Sequence, residues 1–319
     1  MISQAATTPA PFIDRYFSAR LKYGPLVMGI DPSADLLAKW GLPDSPTGLS
    51  DFCRICLEAA VGNVGLVKFQ SAFFERQGCG GLEVLRDSLK FARLNNLLVI
   101  LDAKRGDIGN TAFSYGETYF RPNSDFFTDA VTVSPYLGVR ELMPIFEKAD
   151  AVGGYVFVVA RSSNSDARTI QGAKAAGNLS VEESVMTDIV EVNKDLFFSH
   201  NTQFLSASDG ESKSDMAGEY EIYLTTKDAV GAVGAVLAPN CQEPLSILLK
   251  SLKCLFLVPG IGAQGATLAQ TADLFRGCIN NALPSLSRGI LFNGPDIDKI
   301  KEGIIKIKTD IEKHFNPPA

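Results

Sequence analysis

Three charged residues follow one another at the end of an apolar, β-prone stretch of the chain. The stretch at residues 97–101 leads into Asp102, Lys104 and Asp107. Asp102 and Lys104 are two residues apart, so on a strand both side chains project from the same face and place a carboxylate beside an ammonium group. Burying charges is costly unless they are paired. An isolated Asp-x-Lys would therefore indicate a structural ion pair.

Two earlier apolar stretches also deliver charged residues at their ends. The stretch at 64–69 carries Lys68, and the stretch at 25–30 is followed by Asp31. In α/β architectures the carboxyl ends of the strands form the face on which chemistry is done. Because three successive strands deliver charge there, the pattern predicts acid–base chemistry carried by lysine and aspartate.

The alternation of apolar stretches with helical segments predicts a single α/β domain over residues 1–319, a (β/α)8 TIM barrel. Helical periodicity between the strands and right-handed crossovers imply a parallel sheet, and eight units favour a closed barrel. A length of 319 residues with 46% hydrophobic content suits one such barrel. The eight predicted strands are 25–30, 64–69, 97–101, 130–134, 154–160, 230–238, 254–258 and 289–292.

Segments outside the eight units are predicted as additions to the barrel. Residues 1–24 contain a helix from residue 12 to 21 that we expect to cap the closed end, and a clear amphipathic helix runs from 297 to 315. Residues 165–225 form an insertion after the fifth strand, with a helix at 180–198 and then a polar stretch at 200–218. A connection this long is typical of a functional lid or of a disordered insertion. Because its serine-rich part is distant in sequence from the strand ends, a mobile insertion is favoured over a catalytic lid.

Composition excludes several classes of function. A net charge of −6 and a pI near 5.1 argue against nucleic acid or an anionic membrane as the main partner. No signal peptide and no membrane-length apolar window are found, so we expect a cytoplasmic protein. Only His200 and His314 are available, which disfavours a histidine triad or a histidine-rich metal site. Cys53-x-x-Cys56 lies in a helical pattern at 50–63 and predicts reduced, partly buried thiols rather than zinc ligands.

A glycine-rich segment and an arginine near the end of the chain predict a phosphate site. Residues 258–265, with Pro259 and Gln264, follow the seventh predicted strand, and Arg288 opens the eighth unit. Glycine-rich turns let backbone N–H groups approach an anion, and an arginine can hold two phosphate oxygens. A glycine-rich loop alone often marks only a turn. Together with Arg288 it favours phosphate binding.

These residues resemble the orotidine 5′-monophosphate decarboxylase family. Lys68 with Asp102-x-Lys104-x-x-Asp107, Ile108 and Thr111 is similar to the catalytic signature of that family. The segments 29–33, 67–75, 102–109 and 131–138 resemble its longer, mycobacterial-type subgroup. The resemblance runs from about residue 12 to residue 304, except across 165–225. It implies a (β/α)8 barrel without cofactor or metal, and a homodimer with active sites at the subunit interface.

The same resemblance implies roles for individual residues. Lys104 would stabilise the carbanion at C6 and protonate it. Asp102 would lie beside the departing carboxylate, and Lys68 would complete an alternating array of lysine and aspartate side chains, the charge array. Asp107 would reach the neighbouring subunit's site together with Ile108 and Thr111. Substrate-binding roles are implied for Asp31 and Gln70 at the ribose, Ser163 at the pyrimidine edge, and Pro259, Gln264 and Arg288 in the phosphate region. After Asn164 the chain departs from the subgroup, with Ser165 where Pro-Gly is frequent.

Three alternatives stand beside this hypothesis. A metal-dependent sugar-phosphate decarboxylase, such as 3-keto-gulonate 6-phosphate decarboxylase, shares the Asp-x-Lys-x-x-Asp pattern, but it has an acidic metal ligand where this chain has Lys68, which would repel Mg²⁺. A Schiff-base aldolase needs a neutral lysine, whereas two acids flank Lys104. A nucleotide-binding protein without activity is disfavoured because every charge of the motif is present.

Overall fold

A computed structural model describes residues 10–205, 231–239, 249, 252–262 and 264–315. Eight parallel strands pair in chain order and close into a barrel, which confirms the predicted (β/α)8 fold. The strands are β1 (Val27–Ile30), β2 (Leu66–Gln70), β3 (Leu98–Arg105), β4 (Ala130–Val133), β5 (Tyr155–Arg161), β6 (Val233–Leu237), β7 (Phe256–Val258) and β8 (Ala282–Leu286).

Helices follow the strands and pack on the outside of the barrel. Local signals set their ends: Ser45 caps the third helix by accepting a hydrogen bond from Gly48 N, and Pro46 takes its first position. The helices are α1 (Phe12–Tyr23), α2 (Ala34–Lys39), α3 (Pro46–Ala60), α4 (Ser71–Glu75), α5 (Gly78–Leu94), α6 (Gly109–Phe120), α7 (Met143–Asp150), α8 (Ala167–Gln171), α9 (Val181–Leu205), α10 (Leu268–Leu274), α11 (Arg288–Leu291) and α12 (Ile297–Phe315).

The predicted eighth strand at 289–292 is wrong. Those residues fall largely in the short helix α11, and β8 lies earlier in the chain, where Ser285 and Leu286 pair with β1. A short apolar run is equally typical of a buried strand and of a buried helix. The true strand was not predicted because it contains Pro284, and proline lacks the N–H that hydrogen-bonds in a strand interior. As a consequence, Arg288 follows the carboxyl end of β8 instead of opening that strand.

Helix α1 lies across the amino-terminal ends of the strands. The ring of Phe12 stacks on Tyr155 with centroids 5.3 Å apart. The hydroxyl of Tyr16 donates a hydrogen bond to the carbonyl of Asn280 at 3.1 Å. Both aromatic residues belong to the apolar cluster that fills the barrel interior. The barrel is therefore filled from this end, and its open end is at the carboxyl ends of the strands.

A second apolar layer lies between the strands and the outer helices. Cys53 and Cys56 are buried in this layer and form no disulfide, in agreement with the predicted reduced thiols. Burial raises the pKa of the Cys53 thiol to about 12. None of the described helices has the length and apolarity to cross a membrane.

The insertion after β5 is described in its first part. It begins with α8 and continues into α9, which extends beyond the predicted end at 198 to Leu205. The rest of the polar stretch at 200–218 lies outside the described residues, so the predicted mobility there stays a prediction. Both helices contact β5. They can therefore influence the position of the loop that follows this strand.

Candidate active site

A cavity of about 210 Å³ opens at the carboxyl ends of the strands. Strands β1, β2 and β3 and their carboxyl ends supply Asp31, Lys68, Asp102 and Lys104, and the loops after β5, β7 and β8 supply further lining residues. It brings together nine of the residues singled out from the sequence: Asp31, Lys68, Gln70, Asp102, Lys104, Ser163, Pro259, Gln264 and Arg288.

The carboxylate of Asp102 lies between two ammonium groups. Its Oδ2 accepts a hydrogen bond from Lys68 Nζ at 3.0 Å, and its Oδ1 accepts one from Lys104 Nζ at 2.5 Å. Asp31 Oδ1 lies 3.8 Å from Lys68 Nζ on the other side. Asp102 and Lys68 are buried, whereas the side chain of Lys104 is 43% exposed. Of the two cations, Lys104 is therefore the more accessible to a ligand in the cavity.

Burial and charge act in opposite directions on these groups. Burial raises the pKa of Asp102, but the two ammonium groups and the hydrogen bonds from Lys104 and Thr132 outweigh it and hold the pKa well below its ordinary value. Burial lowers the pKa of Lys68, yet the carboxylates of Asp102 and Asp31 outweigh it and raise the pKa above its ordinary value. The buried pair is therefore fully charged at neutral pH.

A bulge at the end of β3 sets the position of Lys104. The register between β3 and β4 shifts between Leu101 and Arg105, and Lys104 has φ of 48°. A non-glycine residue in this left-handed region is uncommon and persists where neighbouring contacts hold it. The hydroxyl of Thr132 supplies such a contact, because it accepts a hydrogen bond from Lys104 N at 3.1 Å and donates one to Asp102 Oδ1 at 2.8 Å.

The loop after β7 is shaped by glycines and faces the loop after β5. Gly260, Gly262 and Gly265 have φ of 89°, 76° and 86°, which residues with a side chain rarely adopt. A Cβ placed on Gly260 would lie 2.8 Å from Ser163 Cβ and 3.1 Å from Gln264 Oε1. The two loops are therefore in close contact, and glycine is needed where they meet.

Comparison with known proteins identifies the family. Residues 24–302 match the model of the orotidine 5′-phosphate decarboxylase / HUMPS family. The chain belongs to this family. Curated orotidine 5′-phosphate decarboxylases from Salinispora arenicola and Streptomyces coelicolor are 38% and 36% identical to it, over 92% and 94% of this chain and 96% and 97% of theirs.

Solved structures give the same result. A crystal structure from Streptomyces avermitilis, assigned as an orotidine 5′-phosphate decarboxylase, matches with a TM-score of 0.83 and 34% identity over 99% of both chains. One from Toxoplasma gondii matches with a TM-score of 0.71 and 26% identity over 95% of this chain and 98% of that one. The resemblance inferred from the motifs is thus confirmed.

Three residues of the family signature do not line the cavity of their own chain. Asp107, Ile108 and Thr111 lie where β3 passes into α6. Asp107 is half-buried and its Oδ1 accepts a hydrogen bond from Ile108 N at 2.8 Å, while Ile108 and Thr111 are exposed. These three residues therefore lie outside the lining of the cavity.

Several polar residues of the cavity were not predicted from the sequence. Thr132, Ser162, Ser285 and Ser287 all line it. Thr132 is a hydroxyl within a short, otherwise apolar strand, and this contrast was the available signal. Ser285 and Ser287 were hidden by the misplaced eighth strand. Within the described part of the chain, Ser287 Oγ and Asp31 Oδ1 are buried without a hydrogen-bond partner, so both have capacity to bind a polar ligand group.

A metal-dependent enzyme would need a cluster of metal-ligating side chains. Within the described residues no group of three or more histidine, cysteine, aspartate or glutamate side chains is gathered closely enough to hold a metal ion. At the end of β2, where the metal-dependent relatives would need an acidic ligand, the cavity presents the ammonium group of Lys68.

Proposed function

We propose that this chain removes CO₂ from orotidine 5′-monophosphate to form uridine 5′-monophosphate, a step of pyrimidine biosynthesis. The observation that carries the proposal is the cavity geometry in which Asp102 lies between Lys68 and Lys104. The curated relatives carry the name of this activity. The arrangement of these three side chains also addresses the main chemical difficulty of the reaction.

That difficulty lies in the charge left behind on the ring. When the bond from C6 to the carboxylate breaks, its electron pair stays on C6 in an orbital in the plane of the ring, where the π system cannot delocalise it. A fixed cation beside C6 lowers the energy of this state. The Lys104 ammonium supplies that cation and then donates a proton from Nζ to C6, which completes the product.

Asp102 and Lys68 keep the cation in place. Both Lys104 and Lys68 donate to the Asp102 carboxylate, so the array is organised before the substrate binds and needs little rearrangement during the reaction. Asp102 lies on the side from which the substrate carboxylate departs. Enzymes lower barriers by roughly 8–23 kcal/mol, and a carbanion without an electron sink requires a value near the upper end.

The remaining cavity residues bind the substrate away from the reacting bond. Asp31 and Gln70 bind the ribose, and Asp31 Oδ1 is free to accept a hydroxyl hydrogen bond. Ser163 binds the pyrimidine edge. The loop with Pro259 and Gln264, together with Arg288, binds the phosphate; an arginine side chain can hold two phosphate oxygens at once.

Asp107, Ile108 and Thr111 complete the site of a second subunit in a homodimer. Support comes from their position outside their own cavity and from exposed apolar side chains close by. Gly106 packs directly against Ser134, which brings the loops after β3 and β4 together. The exposed apolar side chains of these two loops and of α6 are Ile108, Phe113, Tyr136 and Leu137.

An absorbance assay tests the proposed function. Incubation of the chain with orotidine 5′-monophosphate in excess EDTA should give the fall in ultraviolet absorbance that accompanies formation of the uridine nucleotide. The same protein should not decarboxylate 3-keto-gulonate 6-phosphate in the presence of Mg²⁺. Activity on the sugar phosphate but not on the nucleotide would overturn the proposal.

A further inference from the structure

Gln171, at the end of α8, makes two hydrogen bonds to the residue that precedes Ser163. Its Oε1 accepts a hydrogen bond from Ser162 N at 3.0 Å, and its Nε2 donates one to Ser162 Oγ at 2.9 Å. The Ser162 hydroxyl in turn donates to Asn164 Oδ1 at 2.8 Å. The side chain of Gln171 therefore fixes the residues on both sides of Ser163, one directly and the other through the Ser162 hydroxyl.

Ser163 has little room to move toward the loop after β7. The loop after β7 approaches it so closely that a Cβ on Gly260 would lie 2.8 Å from Ser163 Cβ. Because Gly260 limits the movement of Ser163 and Gln171 holds the adjoining Ser162, a shift of the Ser162 backbone is passed on to Ser163. A shift of that backbone would change the distance from Ser163 to a bound pyrimidine.

A separate anchor holds the end of β5 itself. Arg161 is buried, and its Nε donates to Glu182 Oε2 on α9 at 2.6 Å, with a second contact between Arg161 Nη2 and Glu182 Oε1. This two-contact ion pair connects β5 to the insertion, whereas the Gln171 contacts hold the loop that follows β5. The two anchors can therefore be tested separately.

We propose that Gln171 is a positioning residue that holds Ser163 at the correct distance for the pyrimidine edge. The inference rests on the proposed function. A primary amide suits the role because it both accepts from Ser162 N and donates to Ser162 Oγ, which leaves the Ser162 hydroxyl free to donate to Asn164. The first part of the insertion thus takes part in base recognition without touching the substrate.

Two variants of Gln171 separate its two contacts. Gln171→Ala removes both. Gln171→Glu keeps an acceptor for Ser162 N but cannot donate to Ser162 Oγ, so the Ser162 hydroxyl turns to the carboxylate and Asn164 loses its donor. We expect kcat/KM to fall about 10- to 100-fold in the alanine variant, with a smaller loss in the glutamate variant.

Ligand affinity distinguishes positioning from loss of fold. Calorimetry on the full chain should show binding of uridine 5′-monophosphate weakened about tenfold in Gln171→Ala, while binding of ribose 5-phosphate, which lacks the base, changes less than twofold. As a matched control, Glu182→Gln should lower the unfolding temperature without changing the ratio of these two affinities.

The proposal would be overturned if the ratio of the two affinities were unchanged in Gln171→Ala, whether both affinities fall equally or neither falls. If the alanine variant does not fold, the affinity ratio in Gln171→Glu decides in the same way. Failure of the proposed function is a different result, since the unmodified protein would then not decarboxylate orotidine 5′-monophosphate at all.

Discussion

The hydroxyl of Thr132 on β4 holds the backbone of Lys104 on β3 through a hydrogen bond of 3.1 Å from Lys104 N. The same hydroxyl donates to Asp102 Oδ1. One buried side chain therefore fixes both the left-handed backbone of the proposed catalytic lysine and the carboxylate that its ammonium group contacts. Thr132, on the neighbouring strand β4, therefore stabilises the bulge of β3.

Replacing Thr132 tests this relationship. Thr132→Val keeps the shape of the side chain but removes both hydrogen bonds, so we expect kcat to fall about 10- to 100-fold, because a displaced lysine stabilises the transition state poorly. KM should change much less. Steady-state kinetics check the split between kcat and KM, and Thr132→Ser, which retains the hydroxyl, should keep activity near that of the unmodified protein. Equal kinetics of the valine and serine variants would contradict the role.

Removing the Lys104 ammonium should abolish decarboxylation. Lys104→Ala loses an interaction that belongs mainly to the transition state, whereas the phosphate and ribose contacts remain. Affinity for uridine 5′-monophosphate should therefore stay within roughly two orders of magnitude of its original value. Single-turnover kinetics and calorimetry measure the two quantities. Activity within tenfold of the unmodified protein would show that another group supplies the proton.

The charged state of Asp102 predicts how stability depends on pH. Its pKa is lower in the folded chain than the unfolded value of about 3.9, so its stabilising contribution is present above that value and is lost as the pH falls below it toward the folded pKa. Asp102→Asn leaves Lys68 buried without its closest anion and should cost about 3–5 kcal/mol at neutral pH. Urea unfolding between pH 7 and pH 3 should show this difference narrow as the pH falls. A constant difference would mean that charge is not its cause.

Arg288 should contribute to catalysis through the phosphate. Arg288→Ala is expected to raise KM and to lower kcat/KM, because binding energy from a non-reacting phosphate can organise the reacting end. Kinetics with the nucleotide and with orotidine, which lacks the phosphate, separate the two effects. The variant should lose activity only on the nucleotide, and phosphite dianion should restore part of the rate for the truncated substrate. An equal loss on both substrates would remove Arg288 from the phosphate site.

Mixing inactive subunits tests the shared site. Lys104→Ala and Asp107→Ala, each inactive alone, should complement each other, because a heterodimer has one site with both lesions and one site with neither. Random mixing makes about half the dimers heterodimeric, so roughly a quarter of the unmodified activity should return. Native mass spectrometry establishes that subunits exchange. Exchange without recovery of activity would place Asp107 in the site of its own chain.

Most of the fold could be predicted because seven of the eight strands left a local signal. The apolar stretch that becomes β3 and the charged residues that follow it are adjacent in sequence, and strand alternation places Asp102 and Lys104 on one face. The same reasoning failed at β8. Pro284 contradicts the usual pattern of a strand; its place in one is shown by its pairing with Val258 of β7 and by the pairing of the next two residues with β1. That pairing joins residues from opposite ends of the chain, which local sequence cannot reveal.

The candidate site could be predicted where a residue acts by its charge and not where it acts by its position. Lys68, Asp102 and Arg288 stand out because charges are rare in apolar surroundings. The roles of Thr132 and Gln171 depend on which strand or helix lies beside them, and neutral hydroxyl and amide groups are common in loops and turns. Such residues become recognisable only once the hydrogen bonds that they make are known.

The contact between Tyr16 and the segment around Asn280 has a consequence for synthesis of the protein. It joins parts of the chain that are 264 residues apart, and β8 must be present before β1 gains its second neighbour. A growing polypeptide on the ribosome therefore exposes two unpaired strand edges until almost the entire barrel has emerged. Open edges of this kind invite association between nascent chains. Ring closure therefore cannot occur before residues 282–286 have been synthesised.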